Sequence, residues 1–539
     1  VSGARLPRSP RRPALLAAVL AVTLAAACSR APGPPPVSAA AVEAHARFLA
    51  DDLLEGRGIA SRGGRLAALY IESVFRAAGL TGPLGGSFRQ PFTMRAFAPD
   101  PTASVGWGDR ELRRGEEFVL NNMGLAEGRW SGRPLFVGYA IHAPEEGWDD
   151  FKGRDVRGRL LLAFANEPGR SDPARFGGRA LTVHGRWTTK FALAARLGAA
   201  GMLLLHNRED AGYGWEVVRN GWSSPTLVLA DEGPLLPLRG WLAEEASARL
   251  AEAAGTSLAA LRAAAERADF EPVELPVPLV VRATLAASEV GGANVIGVLP
   301  GRSRKAVVLS AHYDHLGFGE AVDGDRIING AVDNASALAV LLGLAQAYGR
   351  QGEAERPLTL VFAAVDAEEE GLLGSTYTTR HPVVPLADTL ANVNFEMANV
   401  WGRTRDVLAI GAEHSDLADI VATVARARGL SVTPDDAPEQ GYFFRSDQFA
   451  FARAGVPAVW LDGGTEVVGK PPGWGAERRR EYRARHYHRP SDEIGPDWDF
   501  DGLVQLAELT QAVVAEVARR GVVRFRPGSP FAAPARADR

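Results

Sequence analysis

Residues 356–375, RPLTLVFAAVDAEEEGLLGS, run from an apolar stretch straight into four carboxylates. The segment 358–365 is almost wholly apolar, the pattern of a strand buried on both faces. Asp366, Glu368, Glu369 and Glu370 follow, and then Gly371. Packed together without a partner, such acids repel one another and resist desolvation. Either the run is a solvated loop, or strong positive charge sits at the end of that strand. The other strand ends decide between these readings.

From Asn294 onward the chain alternates strands with helices. NVIGVLPG, KAVVLSAH, LTLVFAAV, ANVNFEM and PAVWLDG read as strands; ASALAVLLGLAQAYGR, HSDLADIVATVARARG and GLVQLAELTQAVVAEVARR read as helices. This alternation predicts an α/β fold, a mostly parallel sheet with helices on both faces. In such sheets, sites form beyond the carboxyl ends of the strands. Those ends are polar here. VVLS leads into AHYDH, with His312, Asp314 and His315, and LTLVFAAV leads into DAEEE. ANVNF leads into Glu396, AVDN places Asp333 at a helix start, and YHRPSDE supplies His488. Carboxylates joined by imidazoles, with no cysteine among them, suit zinc held by N and O donors. The donors are too many for one catalytic ion and suit a pair bridged by a carboxylate.

The bulk numbers are those of an ordinary globular protein: 539 residues, 46% hydrophobic and 23% charged, with a formal charge of −4. No global basic field argues for nucleic acid. Arg5, Arg8, Arg11 and Arg12 precede PALLAAVLAVTLAAAC, which reads as an export signal with an apolar stretch too short to span a membrane comfortably. Cys28, the only cysteine, ends that run and resembles the acceptor of a bacterial lipoprotein signal, with Ala25 where leucine is usual three positions earlier. The expectation is an exported protein, lipid-anchored at Cys28 on the periplasmic or cell-surface side or else secreted. No disulfide is needed, and a membrane is touched only through that anchor. A Pro-rich tether, residues 29–38, follows. His184 and His206 read as structural, and Glu370 as solvent-facing or structural.

The series SAHYDH, GAVDNASA, DAEEEGLLGS, NFEM and YHRPSDE, in that order, resembles the co-catalytic dizinc aminopeptidase family. That family includes secreted bacterial leucyl aminopeptidases and glutamate carboxypeptidase II. The resemblance implies two zinc ions, with His312 on one, His488 on the other and Asp333 bridging them. It implies Glu369 and Glu396 as further ligands, Glu396 standing where many members have aspartate. Glu368 falls at the general base. Asp314 would accept the other N–H of the His312 imidazole and fix its tautomer. Tyr487 is placed to donate a hydrogen bond to the oxyanion. SDQFAFARAGVPAVWL also resembles a family element, with Gln448 where many relatives have histidine.

On this reading residues 1–28 are a signal and 39–119 the N-terminal part of the peptidase domain. Residues 120–282 are an inserted smaller α/β or β-rich unit resembling a protease-associated domain, 283–525 the catalytic domain and 526–539 a disordered tail. The implied activity is removal of N-terminal residues from a peptide substrate by zinc-bound hydroxide. Carboxypeptidase activity, one-zinc glutaminyl cyclisation and a ligand-binding role like that of the transferrin receptor ectodomain stand as alternatives. His312 with Asp314 argues against the one-zinc site, and the intact set with Glu368 against mere binding. The basic stretch GKPPGWGAERRREYRARHYH reads as a solvated loop, or as a pocket rim in which Arg478, Arg479 and Arg480 favour acidic groups. The sequence leaves oligomeric state open.

Overall fold

The computed structural model describes residues 1–3, 33, 35–170, 172 and 174–532. Cys28 and residues 4–27 of the expected signal lie outside them, as do residues 29–32 and 34 of the tether and 533–539 of the tail. No helix among the described residues is long and apolar enough to cross a membrane.

Nine strands form the large sheet: β1 (Arg89–Phe97), β2 (Thr226–Leu229), β3 (Ala287–Leu299), β4 (Ala306–His312), β5 (Thr359–Val365), β6 (Thr389–Asn394), β7 (Asp406–Ile410), β8 (Ser431–Thr433) and β9 (Ala458–Gly463). Their order is β2-β1-β3-β5-β4-β6-β9-β7-β8. The centre, β5-β4-β6-β9, is parallel. The adjoining β3 and β7 run antiparallel to it. Every residue of β4, β5 and β6 is buried, as strands covered on both faces must be.

Helices α1 (Ala39–Leu49), α2 (Arg62–Ala77), α4 (Ala337–Gly349), α5 (Leu417–Ala427) and α7 (Asp501–Arg520) share one core with the sheet. The α4 sequence, ALAVLLGLAQAYG, is apolar nearly all round and is accordingly buried nearly all round. A second core on the opposite face joins Phe449, Phe451 and Trp460 to Val361 and Val365 of β5.

The register places the site. In the parallel pairing His312 stands opposite Val365, and Ser310 opposite both Ala363 and Asn394. The residues just after β4, β5 and β6 therefore emerge at one level: His312–His315, Asp366–Glu370 and Glu396.

A second unit carries a six-stranded sheet and a four-stranded sheet over its own core. It differs from the 120–282 span expected. Ser104–Trp107 and Arg110–Glu111 belong to its four-stranded sheet, so it starts earlier. Thr226–Leu229 leaves it to become edge strand β2, antiparallel to β1. Helix α3 (Trp187–Arg196) covers its six-stranded sheet. The tail also differs: Phe531 is buried and packs on His414, Phe443 and Phe525. The packed chain thus continues beyond residue 526. GKPPGWGAERRREYRARHYH, expected as a loop, contains helix α6 (Trp474–Arg485).

Phe362 of β5 is wholly buried and meets Phe75 of α2 and Tyr348 of α4. Phe362→Ala is expected to cost about 3–5 kcal/mol of stability through lost burial and the cavity left behind. Denaturant unfolding checks this; a loss below about 1 kcal/mol would show that the helix layer closes over the gap.

Candidate metal centre

The centre is built on two carboxylate-bearing turns and two imidazoles. His312, the last residue of β4, directs Nε2 to Asp333 Oδ1 at 3.2 Å and to Glu396 Oε1 at 3.1 Å. His488 directs Nε2 to Asp333 Oδ2 at 3.3 Å and to Glu369 Oε2 at 3.2 Å. Asp333 thus gives one oxygen to each imidazole. His315 Nδ1 lies 2.6 Å from the other oxygen of Glu369. Sequence reasoning gave His315 no role; its only signal was the second histidine of HYDH.

Four of the expected ligands reach their places through local devices. The His312 Nδ1–H donates to the Asp314 backbone carbonyl at 3.0 Å, which fixes the ring so that Nε2 is the nitrogen directed at the acids. The Asp314 carboxylate was expected in that role. It stands 3.7 Å from Nδ1 and instead accepts the backbone N–H groups of Glu368 at 3.1 Å and Glu369 at 3.3 Å. Asp314 therefore fixes the turn that presents the two glutamates. Glu396 is held by the Ser446 hydroxyl at 2.6 Å. Asp333 sits in an irregular turn, Ala331–Ser336, ahead of α4. Gly330 enters it at φ +60, where a Cβ would lie 2.1 Å from the Asp333 carbonyl oxygen and 2.5 Å from the His315 ring.

That turn has a partner absent from the expected set. Asp492 accepts the N–H groups of Val332 at 3.0 Å and Asp333 at 3.2 Å, and the Tyr482 hydroxyl at 2.9 Å. In YHRPSDE the SD pair reads as a helix cap; in the fold, the aspartate caps the bridging turn.

The run DAEEE is divided. Asp366 accepts Ala293 N and Ala367 N, both at 3.0 Å, and closes the strand. Glu368 and Glu369 enter the centre. Burial, then the charge of Glu369, lifts Glu370 to about 7, and it lies within reach of the Leu227 backbone on β2 instead. Asp447 joins the cluster from SDQF. Asp447 is wholly buried, and burial lifts its carboxyl to about 7 against the opposing pull of His312 and Ser375. Gln448, in the place of a histidine, bonds Asn394 Nδ2 and Phe443 O at 2.9 Å each, as a packing group below the centre.

Tyr487 stacks on His488 with ring centroids 3.8 Å apart. Burial and Asp333 push its phenol well above the usual range, against the pull of Arg445. Two arginines face the same space. Arg186, at the start of α3 in the second unit, and Arg445 of the catalytic unit both act on the charge of Glu368. Neither forms an ion pair or donates a side-chain hydrogen bond among the described residues. Burial and the like charge of Arg445 lower Arg186 to about 10. Of the three arginines read as a possible rim, Arg478 pairs with Glu481 and Arg479 with Asp462.

The donor set fits a dication. Asp333 Oδ1 and the Nε2 atoms of His315 and His488 are buried without a hydrogen-bond partner. The imidazole-to-carboxylate spacings of 3.1–3.3 Å match the about 3.3 Å edge of a tetrahedron with zinc–donor bonds of ~2.0–2.1 Å. Burial raises the Glu368 and Glu396 carboxyls, with other carboxylates adding to it. Burial opposes charge on the imidazoles, yet the acids outweigh it and lift His312 well above its ordinary value and His488 to about 10.

Residues 294–513 match the model for peptidase family M28. All five clustered ligand candidates lie within the matched segment. Over 239 residues the chain is 27% identical to leucine aminopeptidase 1 of Pyrenophora tritici-repentis, covering 42% of this chain and 56% of the relative. Leucine aminopeptidase 1 of Ajellomyces capsulatus is 24% identical over 244 residues, covering 42% and 57%. The chain thus spans little more than half the length of these relatives. The aminopeptidase from Aneurinibacillus sp. strain AM-1 shares the fold, with a TM-score of 0.51, 18% identity, and coverage of 93% of this chain and 97% of that one.

Because a metal ion must displace the protons that the acids hold on His312 and His488, zinc affinity is expected to rise with pH from about 6 to about 8, with net proton release on binding. Calorimetric titration in buffers of different ionisation enthalpy measures both; an affinity flat with pH would contradict the assignment.

Proposed function

We propose that this chain is an exported, zinc-dependent aminopeptidase. The observation that carries the reading is the splitting of Asp333 between two imidazoles, 3.2 Å from one and 3.3 Å from the other, with Glu396 and Glu369 completing the two sets. On this reading His312, Asp333 and Glu396 would hold one zinc, and His488, Asp333 and Glu369 a second. Zinc there supplies Lewis acidity towards a peptide carbonyl and an acidified water. The leucine aminopeptidases among the relatives support removal of N-terminal residues. Export rests on the signal-like N-terminus, with Cys28 as the lipid-bearing residue of the mature chain. The second unit is assigned to the protease-associated type on its sequence resemblance.

Glu368 carries the proton. Burial raises its carboxyl well above the ordinary value, with Glu396, Glu369 and Asp447 adding to the rise and His312 opposing it. A carboxyl with raised proton affinity takes a proton from the attacking water and returns it to the leaving amine. Tyr487, whose hydroxyl makes no hydrogen bond among the described residues, donates to the oxyanion.

The panel that tests this comprises aminoacyl amides, N-blocked peptides and dipeptides, assayed before and after chelation and with zinc restored. Cleavage confined to free-amine substrates, lost on chelation and regained with zinc, is expected. Glu368→Gln should lower kcat by about 10²–10⁴ while zinc binding persists. A variant that keeps full kcat would remove Glu368 from the role.

A second reading, carboxypeptidase, is favoured by Arg186 and Arg445, two cations without anions beside Glu368. It predicts that Arg445→Ala raises KM about tenfold for carboxylate-ended peptides and leaves aminoacyl amides unaffected. Equal effects on both classes would discard it.

A further inference from the structure

Arg57 lies under the metal centre and, among the described residues, has no acid as a direct partner. It is 1% exposed. Its guanidinium donates only to backbone carbonyls: Nε to Tyr313 at 2.9 Å, Nη1 to Leu49 at 2.5 Å and Asn329 at 2.6 Å, and Nη2 to Gly330 at 2.9 Å. Its own carbonyl accepts the His315 N–H at 3.2 Å. Two of these contacts sit at the expected ligands. Tyr313 stands between His312 and Asp314, and Gly330 opens the turn that carries Asp333.

A buried cation is costly unless charge or hydrogen bonds compensate it. The compensation comes from the hydrogen-bonded fork and from Asp333, Asp492, Asp314 and Glu369, which act on Arg57 at longer range. The backbone gives up ease of conformation to put the residue there. Glu55, Gly56 and Arg57 are all left-handed, at φ 51, 64 and 49. A Cβ on Gly56 would lie 2.5 Å from both Gly317 O and Ile328 O, so this turn is wedged against the hairpin formed by Gly317–Val322 and Asp325–Ile328. Strain of this kind persists only where the surroundings over-determine it, and it gathers at functional sites. Core packing alone gives no reason for a guanidinium here, because an apolar side chain takes the donor away from the Leu49, Tyr313 and Asn329 carbonyls and from Gly330, which otherwise keeps only the Ala335 N–H, and a lysine can reach only some of them.

We propose that Arg57 is the positioning residue of the metal centre: its fork ties the His312 strand end to the Asp333 turn and holds both in ligand geometry before a metal arrives. This rests on the metal-centre reading above. The geometry demands a planar fork with several donors, not merely a positive charge.

The test compares zinc affinity of the metal-free full chain, by competition with a chromophoric chelator, for wild type, Arg57→Lys, Arg57→Ala and Leu341→Ala. Leu341 is wholly buried in the core of α4 and supplies a destabilised control away from the ligands. Both Arg57 variants are expected to bind zinc at least about tenfold more weakly, the scale seen when groups orienting metal ligands are lost. Millimolar guanidinium should restore the alanine variant, and kcat should fall more than KM rises. Leu341→Ala should keep wild-type affinity at temperatures where circular dichroism shows it folded. Wild-type affinity in folded Arg57→Lys, or an equal loss in Leu341→Ala, would overturn the proposal while leaving the centre standing. Absence of zinc binding by wild type would overturn both.

Discussion

Like charges gathered out of water are the constraint on which this protein turns. Asp314, Asp333, Glu368, Glu369, Glu396, Asp447 and Asp492 converge at the ends of three parallel strands, most of them buried. Such a cluster persists only if protons or cations neutralise it. Burial raises the Glu368 carboxyl and the surrounding acids raise His312 and His488, so these groups favour holding protons. The matched spacing of two imidazoles about one carboxylate fits a site where zinc would take their place.

The fold supplies that convergence with little help from the loops. Parallel pairing of β5, β4 and β6 brings three chain segments to the same level. Short-range devices then aim each side chain. The Asp314 carboxylate takes two N–H groups of the Glu368–Glu369 turn, Asp492 takes two from the Asp333 turn, and Ser446 takes one oxygen of Glu396. The acids thus divide into those that meet the metal position and those that hold the backbone around it. The second unit adds Arg186, whose charge meets Arg445 and Glu368 from the other side of the space.

Several assignments were legible in the residue order. The apolar run 358–365 becomes a buried strand because nothing in it is fit for water, and α4 is buried all round for the same reason. His312, Asp333, Glu369, Glu396 and His488 come together as the motifs imply. The basic stretch before His488 forms a helix because GWGAERRREYRAR supplies good helix formers, and its arginines find acids nearby. Phe531 anchors the tail through aromatic contacts that local composition does not encode.

The sequence by itself determined the chemistry at each strand end and the order in which those ends arrive, since apolar periodicity and residue type are local properties. Only the tertiary structure decided which atoms act. It gave the His312 N–H to a carbonyl and not to the Asp314 carboxylate, brought His315 and Asp492 into the centre, turned Glu370 away, and set Arg57 beneath it. Each of these depends on the register between strands and on left-handed or irregular turns held by distant partners, and such contacts are fixed by the packed fold and not by neighbours along the chain.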